Sequence, residues 1–269
     1  MIRPNRLPRL IATDLDGTLA RPDGSVSARS ARALAAASAA GSLVVLVTGR
    51  PVRWLARVYP YLLDPYPGVC ANGAAIYDPS DDSVVATPVP PDAVRPAFER
   101  IRASVPNVHF ASEVDGSRRM LHEPDYPLRE VLDGTVSAAT FDEICATPAV
   151  KLLVRADGWD PDALTAAIRD AVGDKLEATH SSPHGLVEMS ASGVTKATGL
   201  SAFVSRVGLR PEDAIVFGDM PNDLPMFEWA GDGAIAVANA HPSVLAVASK
   251  VIGSNVDDGV AAYLEQLLA

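Results

Sequence analysis

The sequence predicts an α/β protein in which a doubly wound parallel sheet is interrupted by an α+β insertion. Apolar runs such as Leu43–Val47 lack polar alternation, which is typical of strands covered on both faces within a parallel sheet. Helix-forming stretches separate these runs. From about Pro79 the pattern changes to short segments, and the first pattern returns near Gly185. This order indicates one discontinuous core domain, residues 1–82 and 184–269, with an inserted domain at residues 83–183.

The first elements predict a strand, helix, strand unit. Residues 10–12 form an apolar first strand, and Ser27 can cap an alanine-rich helix that Gly41 ends. Leu43–Val47 is an aliphatic second strand, and Pro51 suits the first turn of the next helix. Residues 68–77 predict a third strand with an internal Asn-Gly turn.

The insertion follows a linker with prolines at positions 88, 90 and 91. Its predicted elements are helices over residues 93–104 and 162–172 and strands over residues 108–112, 118–122, 151–155 and 175–180. The core is predicted to resume with strands over residues 186–189, 214–217 and 234–237, a helix over about residues 195–207, and a helix after Asn222.

Composition limits the classes of partner. A formal charge of -10 and a pI near 4.9 argue against nucleic acid, which needs a basic face, and against an anionic membrane. We expect a monomer or a small homo-oligomer. Cys70 and Cys145 lie far apart and outside any metal-ligand spacing, so we expect neither disulfides nor zinc, and a cytoplasmic location.

Two carboxylates follow the first predicted strand. Asp14 and Asp16 stand two residues apart, which places them on one side if the extended backbone continues. Crowded carboxylates repel unless a cation or a shared proton compensates, so the pair suggests a metal-assisted reaction with one nucleophile and one proton donor. A polar turn is the alternative, because Asp and Gly are common turn residues.

Two other positions suit an anion. Thr48 and Gly49 lie where a strand passes into a helix, and a helix start offers unpaired N–H groups to a phosphate. Lys196 begins a predicted helix, where a cation is unfavourable unless an anion lies nearby. A plain turn and a solvated lysine are the respective alternatives.

A fourth signal is the run from Gly218 to Asp223, which again places carboxylates after a predicted strand. The carboxyl ends of parallel strands converge along one edge of an open sheet, where ligands bind. Four separate signals therefore fall on one crevice. Their coincidence favours a functional site over four unrelated turns.

With these motifs, the sequence resembles the phosphohydrolases of the haloacid dehalogenase superfamily, specifically the Cof-like branch with a type IIB cap. The matching motifs are residues 14–18, residues 48–50, Lys196 and residues 218–223, in the order and spacing of that family. Asn72, Asn239 and residues 255–264 also resemble the branch. The resemblance implies a Rossmann-like core, and it makes the inserted domain a cap that closes over the crevice.

The resemblance also implies a Mg²⁺-dependent phosphatase with an aspartyl-phosphate intermediate. Asp14 would be the nucleophile, and Asp16 would protonate the leaving alcohol and then help to deprotonate water. Mg²⁺ would contact the carboxylates of Asp14 and Asp219 and the backbone carbonyl of Asp16. The substrate would be a small phosphorylated metabolite, with a sugar phosphate as the expected class.

Phosphate binding is implied for four residues, and Asp223 would orient Lys196 or a metal-bound water. The four are Thr48, Gly49, Lys196 and Asn222. Specificity would come from the cap, where the candidate substrate contacts, each with a structural role as its alternative, are Arg118, Arg119, His122 and His184. Asn72 could line the site or serve an ordinary turn.

Three other activities compete with hydrolysis. A phosphomutase would share the paired aspartates and return the phosphoryl group to a sugar. A phosphometabolite sensor would use the fold without catalysis, although a binder needs no nucleophile beside an acid. A dehalogenase fits less well, since the second aspartate and the metal site serve phosphoryl chemistry.

Overall fold

The computed structural model describes residues 7–128, 134–180 and 185–269, which form two sheets and their covering helices. The strands are β1 (Leu10–Thr13), β2 (Leu43–Val47), β3 (Gly68–Cys70), β4 (Ala75–Asp78), β5 (Ser83–Ala86), β6 (His109–Val114), β7 (Arg119–His122), β8 (Val136–Ala138), β9 (Ala149–Arg155), β10 (Leu176–Thr179), β11 (Leu186–Ala191), β12 (Ala214–Gly218), β13 (Ala234–Val237) and β14 (Lys250–Ile252). The α-helices are α1 (Ala28–Ala39), α2 (Pro91–Ser104), α3 (Phe141–Ala146), α4 (Pro161–Val172), α5 (Lys196–Ser205), α6 (Leu224–Ala230), α7 (Pro242–Leu245) and α8 (Gly259–Leu268).

The large sheet has the strand order β14-β13-β12-β1-β2-β3-β4-β5. Neighbours from β14 to β3 pair in parallel, and β4 and β5 extend the sheet as an antiparallel hairpin. The chain moves outward in one direction from β1 and in the other from β12. The switch point therefore lies between the carboxyl ends of these two strands, where open α/β sheets bind ligands. The predicted doubly wound core is confirmed.

The small sheet has the order β10-β11-β9-β6-β7-β8 and is antiparallel except for the pairing of β7 with β8. Helices α2 and α4 cover one face. Phe98 on α2 stacks on Phe110 on β6 with ring centroids 4.1 Å apart, and Leu164 and Ile168 on α4 are fully buried in the same cluster. This layer is the α+β insertion that the sequence predicts.

Two strands lie in different sheets from those expected. The prediction that residues 186–189 resume the parallel core is wrong, because β11 pairs antiparallel with β9 and β10 of the small sheet. A short apolar run is compatible with either sheet, so periodicity alone cannot assign it. Likewise, β5 pairs with β4 of the large sheet, although the insertion was expected from residue 83.

Sheet membership therefore favours an inserted unit that starts after Ala86 and ends after Ala191. The expected boundary at residues 183 and 184 lies outside the described residues, as does the candidate contact His184. The division into two domains stays a prediction.

Two local differences concern helices. Pro51 precedes a 3-10 helix, Val52–Arg57, in place of the expected α-helix. Asn72 lies in a single 3-10 turn, Ala71–Gly73, between β3 and β4, as the predicted Asn-Gly turn requires. None of the helices in the described part of the chain has the length and apolar character needed to cross a membrane.

Candidate active site

A buried ion-pair network lies at the switch point. Asp14 follows β1, and its Oδ1 is 2.8 Å from the Nζ of Lys196, the first residue of α5. The same ammonium is 2.6 Å from Oδ1 of Asp223. Burial opposes the charged form of Lys196, but the two carboxylates outweigh it and raise its pKa. Lys196 is therefore held as a cation beside the proposed nucleophile.

Asp223 links Lys196 to the turn after β12. Its second oxygen, Oδ2, accepts the backbone N–H groups of Asp219 at 2.8 Å and Met220 at 3.0 Å. Both carboxylate oxygens are thus engaged, one by the lysine and one by the turn after β12. This arrangement supports the orienting role that the resemblance implies for Asp223.

Asp219 is fixed from the opposite side. The hydroxyl of Thr18 donates to its Oδ1 at 2.7 Å. Gly17 has a φ of +81°, and a Cβ at this position would lie 2.2 Å from Oδ2 of Asp219. Only glycine therefore allows the loop after β1 to approach this carboxylate.

The site has more buried negative than positive charge. One carboxylate oxygen each from Asp14, Asp219 and Asp223 lie within 4.8 Å of one another, with Lys196 as the cation that pairs with two of these residues. Burial raises the pKa of Asp14 well above its ordinary value, and burial with the charge of Asp223 raises that of Asp219 to about 7. Hard oxygen donors with excess negative charge fit Mg²⁺.

Asp16 lies apart from this network. Its carboxylate accepts two hydrogen bonds from Arg50, from Nε at 2.7 Å and from Nη2 at 2.6 Å. The Asp16 side chain is 54% exposed, whereas the guanidinium is largely buried. Asp16 thus faces the open side of the crevice, where a leaving group would emerge.

A cavity of about 300 Å³ opens above these groups and lies between the two sheets. Asp14, Asp16, Gly49 and Asn222 line it, so the structure brings these predicted site residues together. Thr48 is buried beneath, and its hydroxyl accepts the backbone N–H of Arg50 at 3.0 Å.

The small sheet, the 3-10 helix Val52–Arg57 and the segment around Leu128 supply the opposite wall. Its charged part includes the ion pair between Arg53 and Glu113, 2.8 Å long and almost fully buried, which joins the segment after Pro51 to β6. Its apolar side chains are Trp54, Met120, Leu128, Leu153 and Leu186. None of the described cap candidates Arg118, Arg119 and His122 lines this cavity.

Those three cap candidates are engaged elsewhere or lie outside the wall. Arg118 donates to Asp82, and the Nδ1 of His122 lies 2.7 Å from the backbone carbonyl oxygen of Glu123. The structure thus supports the structural alternative for Arg118 and His122.

Several residues that contact the site have no role among the predictions from sequence. Thr18 and Arg50 lie in the family motifs at residues 14–18 and 48–50, and that position could have identified them as site residues. Lys151 is one of only four lysines in the chain, and Glu188 is an acidic residue within an apolar strand. An isolated charge in a buried run is the pattern that could have identified both.

Comparison with known proteins supports the same family. A family model described as haloacid dehalogenase-like hydrolase matches residues 11–264. The 5-amino-6-(5-phospho-D-ribitylamino)uracil phosphatase YitU of Bacillus subtilis is 30% identical over 267 residues, covering 96% of this chain and 97% of the relative. The pyridoxal phosphate phosphatase YbhA of Escherichia coli is 30% identical over 273 residues, covering 95% and 97%.

The crystal structure of SMU.1108c from Streptococcus mutans shares the fold. It superposes with a TM-score of 0.84 at 21% identity and covers 97% of this chain and 99% of that protein. The predicted fold class and family resemblance are therefore confirmed. With the family match across most of its length and two phosphatases at 30% identity, this chain belongs to the haloacid dehalogenase-like hydrolases, as one of their phosphatases.

Proposed function

We propose that the protein is a Mg²⁺-dependent phosphatase that hydrolyses a small phosphorylated metabolite through an aspartyl-phosphate. The observation that carries the proposal is the position of Asp14. This carboxylate lies at the floor of the cavity, 2.8 Å from a lysine that can hold a phosphoryl oxygen. A nucleophile beside a fixed cation is what transfer of a phosphoryl group requires.

In the first step, an oxygen of Asp14 attacks phosphorus and the ester P–O bond breaks. The leaving alkoxide takes a proton from Asp16, which must exchange its contact with Arg50 for the leaving oxygen. In the second step, water attacks phosphorus and loses a proton to Asp16. The bond to Asp14 then breaks, and inorganic phosphate leaves.

The remaining residues hold the phosphoryl group as charge moves. We assign this role to Lys196, Asn222, the backbone N–H of Gly49 and the hydroxyl of Thr48. The carboxylates of Asp14 and Asp219 and the backbone carbonyl of Asp16 would hold Mg²⁺. The ion would neutralise the repulsion between the nucleophile and a phosphate dianion.

The expected substrate class is a sugar phosphate, because the charged wall formed by Arg53 and Glu113 can bind hydroxyl groups. A specific observation favours a second candidate. Trp54, Met120 and Leu153 form an apolar surface on the same cavity, against which a flat ring can pack. We therefore include phosphates that carry a heterocycle, such as the phosphoribitylaminouracil and pyridoxal phosphate in the names of the two relatives.

The test is phosphate release from a panel of sugar phosphates, nucleotides and phosphorylated cofactors, with Mg²⁺ or with EDTA. Wild type is compared with Asp14→Asn, an isosteric change that removes the nucleophile. We expect Mg²⁺-dependent release that falls by about 1000-fold or more in the variant, with the same circular dichroism spectrum.

Three results would contradict the proposal. Undiminished release by Asp14→Asn would exclude this residue as nucleophile. Transfer of the phosphoryl group to a second sugar, without free phosphate, would identify a mutase, and binding of phosphate compounds without any turnover would identify a sensor.

A further inference from the structure

A continuous chain of buried hydrogen bonds joins the small sheet to the proposed phosphate site. Lys151 on β9 donates to Oε1 of Glu188 on β11 at 2.5 Å. Oε2 of Glu188 accepts from Nδ2 of Asn72 at 3.1 Å. Oδ1 of Asn72 in turn accepts from Nδ2 of Asn222 at 3.0 Å. All four side chains are buried, so solvent does not replace these partners.

The charge of Glu188 determines which way each amide faces. In its ion pair with Lys151, Glu188 is a carboxylate and can only accept hydrogen bonds. Asn72 must therefore turn its NH₂ group toward Glu188, which leaves its carbonyl oxygen toward Asn222. Asn222 must then present its NH₂ group to Asn72. One charge thus selects one of two orientations at each of two successive amides.

Asn222 keeps hydrogen-bonding capacity for a ligand in this orientation. Its Nδ2 uses one hydrogen on Asn72 and retains the other, and its buried Oδ1 has no hydrogen-bond partner among the described residues. The side chain lines the cavity together with Asp14. An inverted amide would exchange the donor and the acceptor at this position.

The turn that carries Asn72 has an unusual backbone conformation. Ala71 and Asn72 both have positive φ, 51° and 56°, and for alanine this conformation is unfavourable. Lys151 also donates to the backbone carbonyl of Gly49 at 2.5 Å, so the ion pair holds a second predicted phosphate-binding segment.

We infer that Glu188, with its partner Lys151, is a positioning residue that orients Asn222 through Asn72 for phosphate binding. This inference rests on the proposed function, since it concerns the phosphate site of that reaction. Glu188 acts through other residues and does not itself contact the phosphoryl group.

The experiment reverses the hydrogen-bond donors and acceptors along this chain of side chains. In Glu188→Gln, Oε1 can still accept from Lys151, but Nε2 then faces Asn72. Asn72 must invert to present its carbonyl, and Asn222 inverts after it. In the double variant Glu188→Gln with Asn72→Asp, the introduced amide at position 188 donates to the introduced carboxylate at position 72. That carboxylate again accepts from Asn222, so the original orientation returns.

Binding of inorganic phosphate in the presence of Mg²⁺ is measured by titration calorimetry for the wild type, Glu188→Gln, Asn72→Asp and the double variant. We expect each single change to weaken binding by roughly ten-fold or more, since a hydrogen bond to a charged ligand is lost. The double variant should bind more tightly than either single variant. Glu123→Gln, which alters another cap carboxylate paired with an arginine outside the cavity, should bind as wild type.

Thermal melting shows which variants are folded, and Glu188→Gln alone is decisive if Asn72→Asp does not fold. Wild-type affinity in folded Glu188→Gln, or a double variant no tighter than the single variants, would overturn the inference. Hydrolysis of p-nitrophenyl phosphate by the wild type tests the proposed function separately. The phosphate affinities decide the positioning role whether or not turnover occurs.

Discussion

At the scale of single residues, the site is governed by charge balance. Lys196 offsets part of the negative charge of Asp14 and Asp223, and Asp219 lies beside them with its carboxylate near Asp14. Burying several like charges is costly unless protons or a cation compensate. Proton binding and Mg²⁺ binding at this site should therefore compete.

This competition predicts a pH-dependent effect of the metal on stability. The pKa of Asp219 is raised from 3.8 to about 7 in the folded protein, so the folded state binds a proton that the unfolded state releases. In the absence of metal, the protonated carboxyl of Asp219 contributes to the free energy of unfolding at low pH. This contribution is lost as the pH rises through about 7. Mg²⁺ should therefore raise the melting temperature more at about pH 8 than at about pH 5.

Scanning fluorimetry with Mg²⁺ or EDTA at both pH values measures the effect. Asp219→Asn is the control, because it removes the titrating carboxylate. In this variant, the effect of Mg²⁺ on the melting temperature should lose most of its dependence on pH. An equal shift at both pH values in the wild type would show that the proton and the metal do not share this site.

Gly17 gives a second prediction at this scale. Alanine there meets both a positive φ of +81° and a contact of 2.2 Å with Asp219. Gly24→Ala is a matched control, since Gly24 has the same φ but its nearest side-chain atom is 3.8 Å away. We expect both variants to lose about 1 kcal/mol or more of unfolding free energy, and only Gly17→Ala to lose most of its phosphatase activity. Equal activity in the two variants would refute the close approach to Asp219.

At the scale of elements, helix α5 positions the lysine of the site. Thr195 is the N-cap: its side chain accepts the backbone N–H of Thr198 at 3.2 Å, and the Thr198 hydroxyl accepts the N–H of Thr195 at 2.9 Å. Lys196 is the next residue, so the cap determines where its stem leaves the backbone. A cation at a helix start is tolerated because Asp14 and Asp223 neutralise it.

We expect Thr195→Ala to lower the free energy of unfolding by about 1 kcal/mol and to reduce kcat/KM, since the first turn of α5 frays. Thr140→Ala removes the corresponding capping box from α3 in the small-sheet layer. It should cost similar stability and leave kcat/KM unchanged. Urea unfolding and steady-state kinetics of both variants decide whether the cap serves the site, and an equal kinetic loss in both would contradict it.

The elements also show what local sequence can and cannot predict. The strand Leu43–Val47 has the bounds that the sequence predicts, because a short β-branched and aliphatic run between turn signals favours a strand. Residues 186–189 lie in a strand as expected, but that strand, Leu186–Ala191, belongs to the other sheet. Which sheet a strand joins depends on pairing between residues distant in sequence, and local periodicity carries no information about it.

At the scale of the whole molecule, the two sheets enclose the cavity and are joined by buried charges. Arg53 follows β2 of the large sheet, and Glu113 lies on β6 of the small one. The Lys151 and Glu188 pair makes a second polar connection, through Gly49 and Asn72. These connections hold the wall over the carboxylates.

Removing one partner of the ion pair between Arg53 and Glu113 should destabilise the fold. We expect Arg53→Met to lower the free energy of unfolding by about 3–5 kcal/mol, because it leaves the buried carboxylate of Glu113 without this cation. The double variant Arg53→Met with Glu113→Met should recover a large part of the loss. A double-mutant cycle from urea unfolding measures the coupling, and additive losses would show that the two side chains do not stabilise each other.

Local strand and turn signals were enough to predict the strand ends that carry Asp14, Thr48 and Asp219. They also placed Lys196 at a helix start. Tertiary contacts were needed to show that Arg50 holds Asp16, that β11 belongs to the small sheet, and that Glu188 contacts the amide of Asn72 beside the proposed phosphate site. These contacts join residues from 31 to 150 positions apart, and they form only when distant segments pack together.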